Sequence, residues 1–321
     1  MAKKILLLIL IVAIISGYLY YGELRRKSGI TEHTYGLTFN GTKAYLHVQE
    51  QCEIGPRPPG TIEHEKCVQY IVNIIKSYGL TCHLENFTFS DPEVGPISMV
   101  NIIVSLGRGD KILYVGAHYD TRPRADMEQA PEDREKPILG ANDGASGVAV
   151  LLELIRIFKD KDLKIEVRFI FFDGEDWGII LDHYFIGSRY HVKHLPANEK
   201  KKIIGLILLD MIGDKDLQIY MEGFSYRHAR DLVELIWNTA KELNYTQYFV
   251  PRVKYTIYDD HYPFIQEGIP GVDIIDFDYP YWHTLNDTLD KVSPKSLEIV
   301  GRVVEAVILK ISEDQGGYIY V

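Results

Sequence analysis

The sequence is poor in cysteine and has no pair of cysteines at the spacing of a thiolate metal site. Its three cysteines, Cys52, Cys67 and Cys82, lie in the first quarter of 321 residues, and no C-x-x-C motif occurs. This argues against a zinc site built from thiolates. An odd number of cysteines leaves room for one disulfide or for none.

The chain also lacks an excess of basic residues and any low-complexity tract. It carries 35 Lys and Arg residues against 45 Asp and Glu residues, a formal net charge of −10, which argues against a nucleic-acid-binding surface. With 46% hydrophobic and 25% charged residues, the composition is that of a globular protein. We find no internal repeat and no second linker.

Charge is missing from one N-terminal stretch, Ile5–Gly22, which follows Lys3 and Lys4. As a helix these residues would span about 27 Å, close to the roughly 30 Å of a bilayer's hydrocarbon core. Aromatic residues follow the apolar run where a signal peptide would show a small-residue cleavage site. We expect residues 1–30 to be a membrane anchor; a cleaved signal peptide and an internal core helix are the alternatives. Both main interpretations place residues 31–321 outside the cytoplasm, either anchored or secreted.

The remainder of the chain alternates apolar strands with amphipathic or buried helices. Strands that are apolar throughout predict a sheet covered on both faces, hence an α/β domain. The predicted strands cover 100–106, 111–115, 164–172, 203–209 and 272–277. The predicted helices cover 63–78, 144–158 and 227–243, and a last one starts with Ser293 as N-cap and Pro294 at its first position.

Polar residues gather where the predicted strands end. The strand ending at Phe172 runs into "DGEDW", with Glu175, Asp176 and Trp177, and the strand 203–209 runs directly into Asp210. Ligands in covered α/β sheets bind at the carboxyl ends of the strands, so we expect these side chains to share one edge. The same edge is expected for His118, Asp120 and His283, and for Asp143 just before the buried helix.

Each of these residues also has an ordinary structural explanation. Asp143 alone could cap its helix, the histidines could be hydrogen-bonded in the interior, and Glu175 and Asp176 could lie in a solvated loop. Those explanations together predict no preference for one end of the strands. Clustered carboxylates are costly unless a cation neutralises them.

The residue types indicate which cation to expect. Two histidines with several carboxylates and no cysteine form the ligand set of catalytic zinc. We predict that Asp176 binds the metal and that the adjacent Glu175 stays unbound and transfers protons.

The motifs "AHYD", "GANDGASG", "FFDGED", "LLDMIG", "DDHYPF" and "WHTLNDTLDKV" occur in this order. Together they resemble the superfamily of zinc-dependent aminopeptidases and animal-type glutaminyl-peptide cyclotransferases over about residues 45 to 312. The resemblance implies a single catalytic domain, with a mixed, mostly parallel central sheet and helices on both faces.

The same resemblance assigns roles to individual residues. It implies zinc ligands at Asp143, Asp176 and His283, with Glu175 as general base and acid. In the two-metal aminopeptidases, the positions of His118 and Asp210 hold a second zinc and that of Asp143 bridges the pair. Many relatives have Glu where this chain has Asp176, which questions the reach of this shorter side chain.

Several features resemble the cyclase branch more than the aminopeptidases. A long loop of 24 residues separates His118 from Asp143, Asp259 precedes Asp260, and Trp282 precedes His283. By the resemblance, Asp259 and Asp210 would form a hydrogen-bonded acidic relay. Trp282 and Trp177 are the candidate walls of an aromatic substrate pocket, with ordinary packing as the alternative for both.

We therefore expect a glutaminyl-peptide cyclotransferase that uses one zinc ion and acts on N-terminal Gln of peptides. The first alternative is an aminopeptidase that uses two zinc ions and releases N-terminal residues. A receptor-like domain that has lost catalysis is the second alternative, although all the site positions carry competent residues.

Overall fold

The computed structural model describes residues 36–178 and 180–317. The membrane-anchor prediction for residues 1–30 lies outside these ranges. Within them, no helix combines the length and the apolar character needed to span a membrane. The three cysteines are free thiols in this part of the chain.

A six-stranded mixed sheet forms the centre of the protein. Its strands are β1 (His83–Asp91), β2 (Gly95–Gly107), β3 (Ile112–His118), β4 (Glu166–Phe172), β5 (Ile203–Asp210) and β8 (Gly271–Ile275). Their order is β1-β2-β4-β3-β5-β8. The last four strands in this order run parallel, while β1 and β2 add antiparallel strands at one edge. The predicted mixed, mostly parallel sheet is confirmed.

Helices cover both faces of the sheet. They are α1 (Gly41–Ile54), α2 (Ile62–Ser77), α3 (Ala145–Phe158), α4 (Ile186–His194), α5 (Ala197–Lys200), α6 (Gly223–His228), α7 (Arg230–Glu242), α8 (His261–Gln266) and α9 (Pro294–Glu313). Short 3-10 helices lie at Pro131–Asp133, Leu181–His183 and Leu289–Lys291. A separate two-stranded parallel sheet pairs β6 (Ile219–Met221) with β7 (Phe249–Val253).

The side chains of β4 show how the two faces are packed. Phe169 and Phe171 join the large core beneath α1, α2, α3, α7 and α9, whereas Ile170 and Phe172 join a smaller core beneath α4 and α8. Because successive side chains of a strand point to opposite faces, a strand apolar at every position requires cover on both sides. β3 and β5 are buried along their whole length for the same reason.

The predicted helix starts are confirmed by their caps. The Thr61 side chain accepts a hydrogen bond from the His64 N–H at the start of α2, at 3.2 Å. Ser293 accepts from the Lys295 N–H at 3.2 Å, with Pro294 as the first residue of α9. Both caps satisfy backbone donors that have no partner within the helix.

The structure differs from the sequence prediction in several elements. The helix expected at 227–243 is divided at Ala229, whose backbone (φ −137°, ψ 40°) leaves the helical region between α6 and α7. Strand order was not predicted: β4 lies between β2 and β3, which follow each other in the sequence. Helix α1 and strand β1 were not predicted.

Two glycines bring the start of α3 against the strand ends. A Cβ at Gly144 would lie 2.7 Å from the carbonyl oxygen of His118, and one at Gly147 would lie 2.3 Å from that of Leu209. Any side chain at these positions would push α3 away from the sheet. The close approach places Asp143 beside the ends of β3 and β5.

Candidate active site

The carboxyl ends of the parallel strands carry the predicted polar residues to one edge of the sheet. His118 ends β3 and Asp210 ends β5, while Glu175 and Asp176 follow β4 within four residues. His283 comes from the loop after β8. Three of these residues, His118, Asp176 and His283, are at most 5% exposed. The convergence expected from the sequence is present.

The three residues predicted as zinc ligands form one group. Ligand atoms of Asp143, Asp176 and His283 lie within 4.8 Å of one another. The Nε2 atom of His283 is 3.3 Å from Oδ1 of Asp176 and 3.7 Å from Oδ2 of Asp143. The shorter side chain of Asp176 therefore reaches the group.

A second group of candidate ligands shares one member with the first. His118 Nε2 lies 3.1 Å from Oδ1 of Asp143 and 3.2 Å from Oδ1 of Asp210. Asp143 thus turns one carboxylate oxygen towards His118 and the other towards His283. This is the arrangement of a carboxylate able to bridge two metal ions.

The donor set and its unpaired atoms fit a zinc ion. Within the described residues, Oδ2 of Asp143 and Oδ2 of Asp176 are buried and have no hydrogen-bond partner. Buried polar atoms are normally paired, and imidazole with carboxylate and no thiolate is the donor set of catalytic zinc. Asp143, Asp176 and His283 would hold one ion, and His118 and Asp210 would complete a second site with Asp143.

Burial and charge shift the pKa of His283. Burial alone would lower it, but the negative charge of Asp176 and hydrogen bonds to Asp126 and Asp176 raise the pKa of His283 to about 9. A metal ion must displace this proton to bind.

The three acids after β4 have three different environments. Asp173 is a buried hydrogen-bond acceptor for His64 Nε2 at 2.8 Å, for the Val100 N–H at 2.7 Å and for the Tyr119 hydroxyl at 2.7 Å. It anchors the end of β4 to its surroundings. Asp176 faces the metal group, and Glu175, which is partly exposed, faces the neighbouring cavity.

Glu175 has the environment of a group that accepts a proton. Burial and the adjacent negative charge of Asp176 raise the pKa of Glu175 well above its usual value. Asp120 holds the backbone here: its carboxylate oxygens accept the N–H groups of Glu175 and Asp176, both at 3.2 Å. The side chain of Asp176 thereby lies in the candidate ligand group, and that of Glu175 lines the cavity.

Asp287 supports Asp143 from behind, a role not predicted from the sequence. Its carboxylate accepts the Asn142 N–H at 2.9 Å, the Asp143 N–H at 3.1 Å and the Tyr279 hydroxyl at 2.7 Å. Burial and the charge of Asp143 raise the pKa of Asp287 to about 7. Its partner Asn142 is 145 residues away, so no local pattern reveals the contact.

A cavity of about 350 Å³ opens beside the two groups of candidate metal ligands. Glu175, Asp210 and Asp259 line it together with Trp282 and His283. The Trp282 and His283 rings stack with centroids 3.9 Å apart and an interplanar angle of 27°. The position expected for Trp282, in the wall of a small aromatic pocket, agrees with this geometry.

Trp177 lies elsewhere, contrary to its prediction as a second wall. Its indole N–H donates to Oδ2 of Asp91 at 2.9 Å, and its ring lines a separate cavity of about 260 Å³ with Val94 and Arg124. The "DGED" segment turns after Asp176, so that adjacent side chains diverge. Trp177 therefore packs against the β1–β2 hairpin.

A second cluster of buried acids adjoins the cavity. Burial and the charge of Asp210 raise the pKa of Asp259 well above its usual value, and burial raises that of Asp260 to about 7. Asp273, on β8, is also buried, and burial and the charge of Asp259 raise its pKa well above the usual value. His261 lies among them with Nε2 3.1 Å from Oε2 of Glu222. The hydrogen bond expected between Asp259 and Asp210 is not formed: Oδ1 of Asp259 accepts the Asp260 N–H, and its buried Oδ2 has no hydrogen-bond partner among the described residues.

Comparisons with known proteins agree with this geometry. The model of Peptidase family M28 matches residues 101–308. The glutaminyl-peptide cyclotransferase of Drosophila melanogaster is 26% identical over 300 residues, which cover 83% of this chain and 82% of that protein.

Two solved structures share the fold over nearly their whole length. The glutaminyl cyclase of Bacteroides thetaiotaomicron is 32% identical with a TM-score of 0.80, covering 85% of this chain and 98% of that one. A Zn-dependent exopeptidase from Parabacteroides distasonis is 32% identical with a TM-score of 0.81 and the same coverage. Similarity thus extends to both kinds of enzyme.

Proposed function

Because the chain belongs to peptidase family M28, we propose that it is an enzyme acting on the N-terminus of peptides, and specifically a glutaminyl-peptide cyclotransferase. In this reaction the α-amine of an N-terminal glutamine attacks its own side-chain amide carbon. A five-membered lactam forms and ammonia departs, without consumption of water.

One observation carries this choice: the composition of the cavity beside the metal groups. Glu175, Asp210 and Asp259 line a space of about 350 Å³ whose aromatic wall is Trp282. A site of this size buries a small ligand, and it suits a single terminal side chain. The three carboxylates of this cavity are suited to contact the amine of a substrate.

The residues divide the reaction between them. A zinc ion held by Asp143, Asp176 and His283 would polarise the side-chain carbonyl of the glutamine. Glu175 accepts a proton from the attacking α-amine and returns it to the departing nitrogen, which leaves as ammonia. Asp210 and Asp259 orient the amine, and Trp282 forms the wall on which the glutamine side chain packs.

The test is a peptide with N-terminal glutamine and its product balance. We expect release of one ammonia and loss of one primary amine for each peptide consumed. Glu175→Gln should lower turnover by about 10²–10⁴-fold, because the proton carrier is lost while the metal ligands remain. Near-normal turnover of the Glu175→Gln enzyme would show that this role is wrong.

A specific observation favours a second candidate, an aminopeptidase. Asp143 faces His118 at 3.1 Å as well as His283, and Asp210 is 3.2 Å from His118, so ligands for two ions are assembled. Two bound metals can hold an attacking hydroxide between them. Two tightly bound zinc ions per chain, with release of free amino acids from unblocked peptides, would select this candidate over the cyclase.

We also propose that residues 1–30 anchor the enzyme in a membrane with the catalytic domain outside the cytoplasm. The uncharged run Ile5–Gly22 and the weak cleavage signal after it support this. The full chain should then fractionate with membranes and stay there after a high-salt wash. A shortened chain recovered in the soluble extracytoplasmic fraction would indicate cleavage instead.

A further inference from the structure

The segment 122–128 contacts two of the proposed zinc ligands although none of its residues belongs to a ligand group. It begins at Arg122, which is 3% exposed. The Arg122 guanidinium donates to Oδ1 of Asp176 at 2.9 Å, to the carbonyl oxygen of Asp176 at 3.3 Å and to that of Gly178 at 3.0 Å. One buried side chain thus fixes both the carboxylate and the backbone of Asp176.

The other edge of the same guanidinium holds Asp126. Nε and Nη2 of Arg122 donate to the two carboxylate oxygens of Asp126 at 3.0 and 2.6 Å, a two-point contact with planar geometry. Asp126 in turn lies 3.2 Å from Nδ1 of His283. With His283 Nε2 at 3.3 Å from Asp176, the four side chains close a ring.

The next two residues of the segment hold the backbone around His283. The Met127 N–H donates to the His283 carbonyl oxygen at 3.2 Å, and the Glu128 carboxylate accepts the Leu285 N–H at 2.9 Å. His283 has φ +56°, a left-handed conformation that costs free energy in a non-glycine residue. These contacts stabilise a backbone conformation that His283 would otherwise leave.

The contact with Asp126 also selects the useful form of the His283 ring. A proton on Nδ1 that is donated to Asp126 leaves the lone pair of Nε2 directed at Asp143 and Asp176. Without that acceptor, the ring can carry its proton on either nitrogen. The contact with Asp126, from outside the ligand group, therefore favours the ring form of His283 in which Nε2 is free to bind a metal.

We propose that the segment 122–128 is a positioning element that fixes Asp176 and His283 as metal ligands, with Arg122 and Asp126 as its central pair. Arg122 holds the short side chain of Asp176 at the ligand group through hydrogen bonds to its carboxylate and to the carbonyl oxygens of residues 176 and 178. The loop between His118 and Asp143 acquires a role in metal retention. This rests on the metal dependence of the proposed function but not on which reaction follows.

The experiment measures zinc retention in the full chain, using Asp126→Asn, Arg122→Lys and the control Asp133→Asn. Asp133 lies in the same loop and pairs with Lys136, away from the ring. Zinc loss to an excess of chelator is followed for each protein. The unfolding temperature of the metal-free form is measured alongside.

We expect Asp126→Asn and Arg122→Lys to hold zinc about 10–100-fold more weakly, since contacts of this kind contribute that much to affinity. Lysine keeps the charge of Arg122 but cannot contact both carboxylates with one planar group. The turnover of both variants should be closer to that of the original chain at saturating zinc than at limiting zinc. The Asp133→Asn protein should behave as the original.

Two results would overturn the proposal. Zinc retention equal to that of the original chain in both variants is one. The other is a loss of zinc accompanied by a clear fall in the unfolding temperature of the metal-free protein, which would mean that the segment only stabilises the fold. If the variants lose zinc as expected but the original chain transforms neither glutaminyl nor unblocked peptides, the proposed function fails and the positioning role stands.

Discussion

Two clusters of buried acids lie side by side at the carboxyl edge of the sheet, and they differ in the basic side chains available to balance their negative charge. The metal-ligand cluster contains Asp143, Asp176 and Asp210 among the cationic or cation-forming groups His118, His283 and Arg122. The β8 cluster contains Asp259, Asp260 and Asp273. Its nearest basic side chain among the described residues, His261, already contacts Glu222.

The difference appears in the pKa values. Burial would raise the pKa of Asp176, but the charge of His283, its hydrogen bond and Arg122 together hold it below the usual value. In the β8 cluster burial prevails, and the pKa values of Asp259 and Asp273 rise far above normal. Buried carboxylates need either a positive charge or a proton. Asp176 has the positive charge of His283 and Arg122 beside it. Among the described residues the β8 cluster lacks such a partner, and Asp143 is intermediate: burial and the charge of Asp176 raise its pKa above the usual value, although hydrogen bonding to His118 lowers it.

The adjacency of the two clusters matters for the cavity that lies between them. Asp210 belongs to the metal-ligand cluster, and its charge raises the pKa of Asp259 in the β8 cluster. Asp259, which readily carries a proton, therefore lies next to Asp210, which belongs to a candidate metal-ligand group. An amine bound there contacts both kinds of carboxylate.

The largest expected effect comes from the same substitution made once in each cluster. Asp143→Asn removes the carboxylate shared by both ligand groups, so we expect loss of most bound metal and of turnover. Asp273→Asn replaces an acid that carries a proton by an uncharged group of the same shape, and metal content should be unchanged. Metal analysis of both purified proteins measures this contrast.

A fall in metal content with Asp273→Asn would contradict this prediction. Ligand atoms of Asp259, His261 and Asp273 also lie within 4.8 Å of one another. The fall would then mean that an ion, rather than protons, balances the β8 cluster.

A second prediction concerns the pH dependence of zinc binding. The pKa of His283 is raised to about 9 in the metal-free protein, so below pH 9 zinc must displace its proton. Apparent zinc affinity should fall about tenfold for each pH unit below 9, hence about 100-fold between pH 8 and pH 6 for this one proton. Competition titrations with a chelator of known affinity at both pH values give the slope. A flat profile would contradict the proton-bearing state of His283.

A third prediction concerns stability in the β8 cluster. A carboxyl group whose pKa is raised by folding contributes stability that is complete below its unfolded pKa, near 4, and is lost as the pH rises towards its folded pKa. Protonation of Asp273 should therefore make the free energy of unfolding fall as the pH rises above about 4, by up to about 1.4 kcal/mol per pH unit.

Asp273→Asn should make that profile flatter, as measured by denaturant unfolding of the metal-free protein at several pH values. The surface substitution Asp133→Asn serves as the control. A profile of unchanged slope in Asp273→Asn would show that Asp273 is ionised in the folded protein.

The elements that the sequence predicts well are those with a local signal. The strand 164–172 is apolar at most positions, and the buried helix after Asp143 is apolar on most faces, so their burial follows from composition alone. The clustering at strand ends follows from the parallel arrangement. The shared edge of these polar residues could therefore be predicted from the sequence, whereas the choice of Asp143, Asp176 and His283 as one ligand set came from the resemblance.

What the sequence does not predict depends on distant polar contacts. Arg122 meets Asp176 across 54 residues, and Asp287 meets Asn142 across 145. Neither contact has a periodicity or a motif of its own. The side on which Trp177 packs is set by one turn of backbone after Asp176, and alternation along the chain does not reveal it. The strand order was also not predicted, because β4 lies between β2 and β3 although it follows both in the sequence.

The tight seating of α3 has a consequence for any attempt to redesign this enzyme. Gly147 packs against the backbone of β5, where even a methyl group would meet the Leu209 carbonyl oxygen at 2.3 Å. New substrate preferences must therefore be sought in the loops that frame the cavity mouth. A side chain introduced at Gly147 would have to displace the helix, and with it Asp143 just before the helix, before it could alter the cavity.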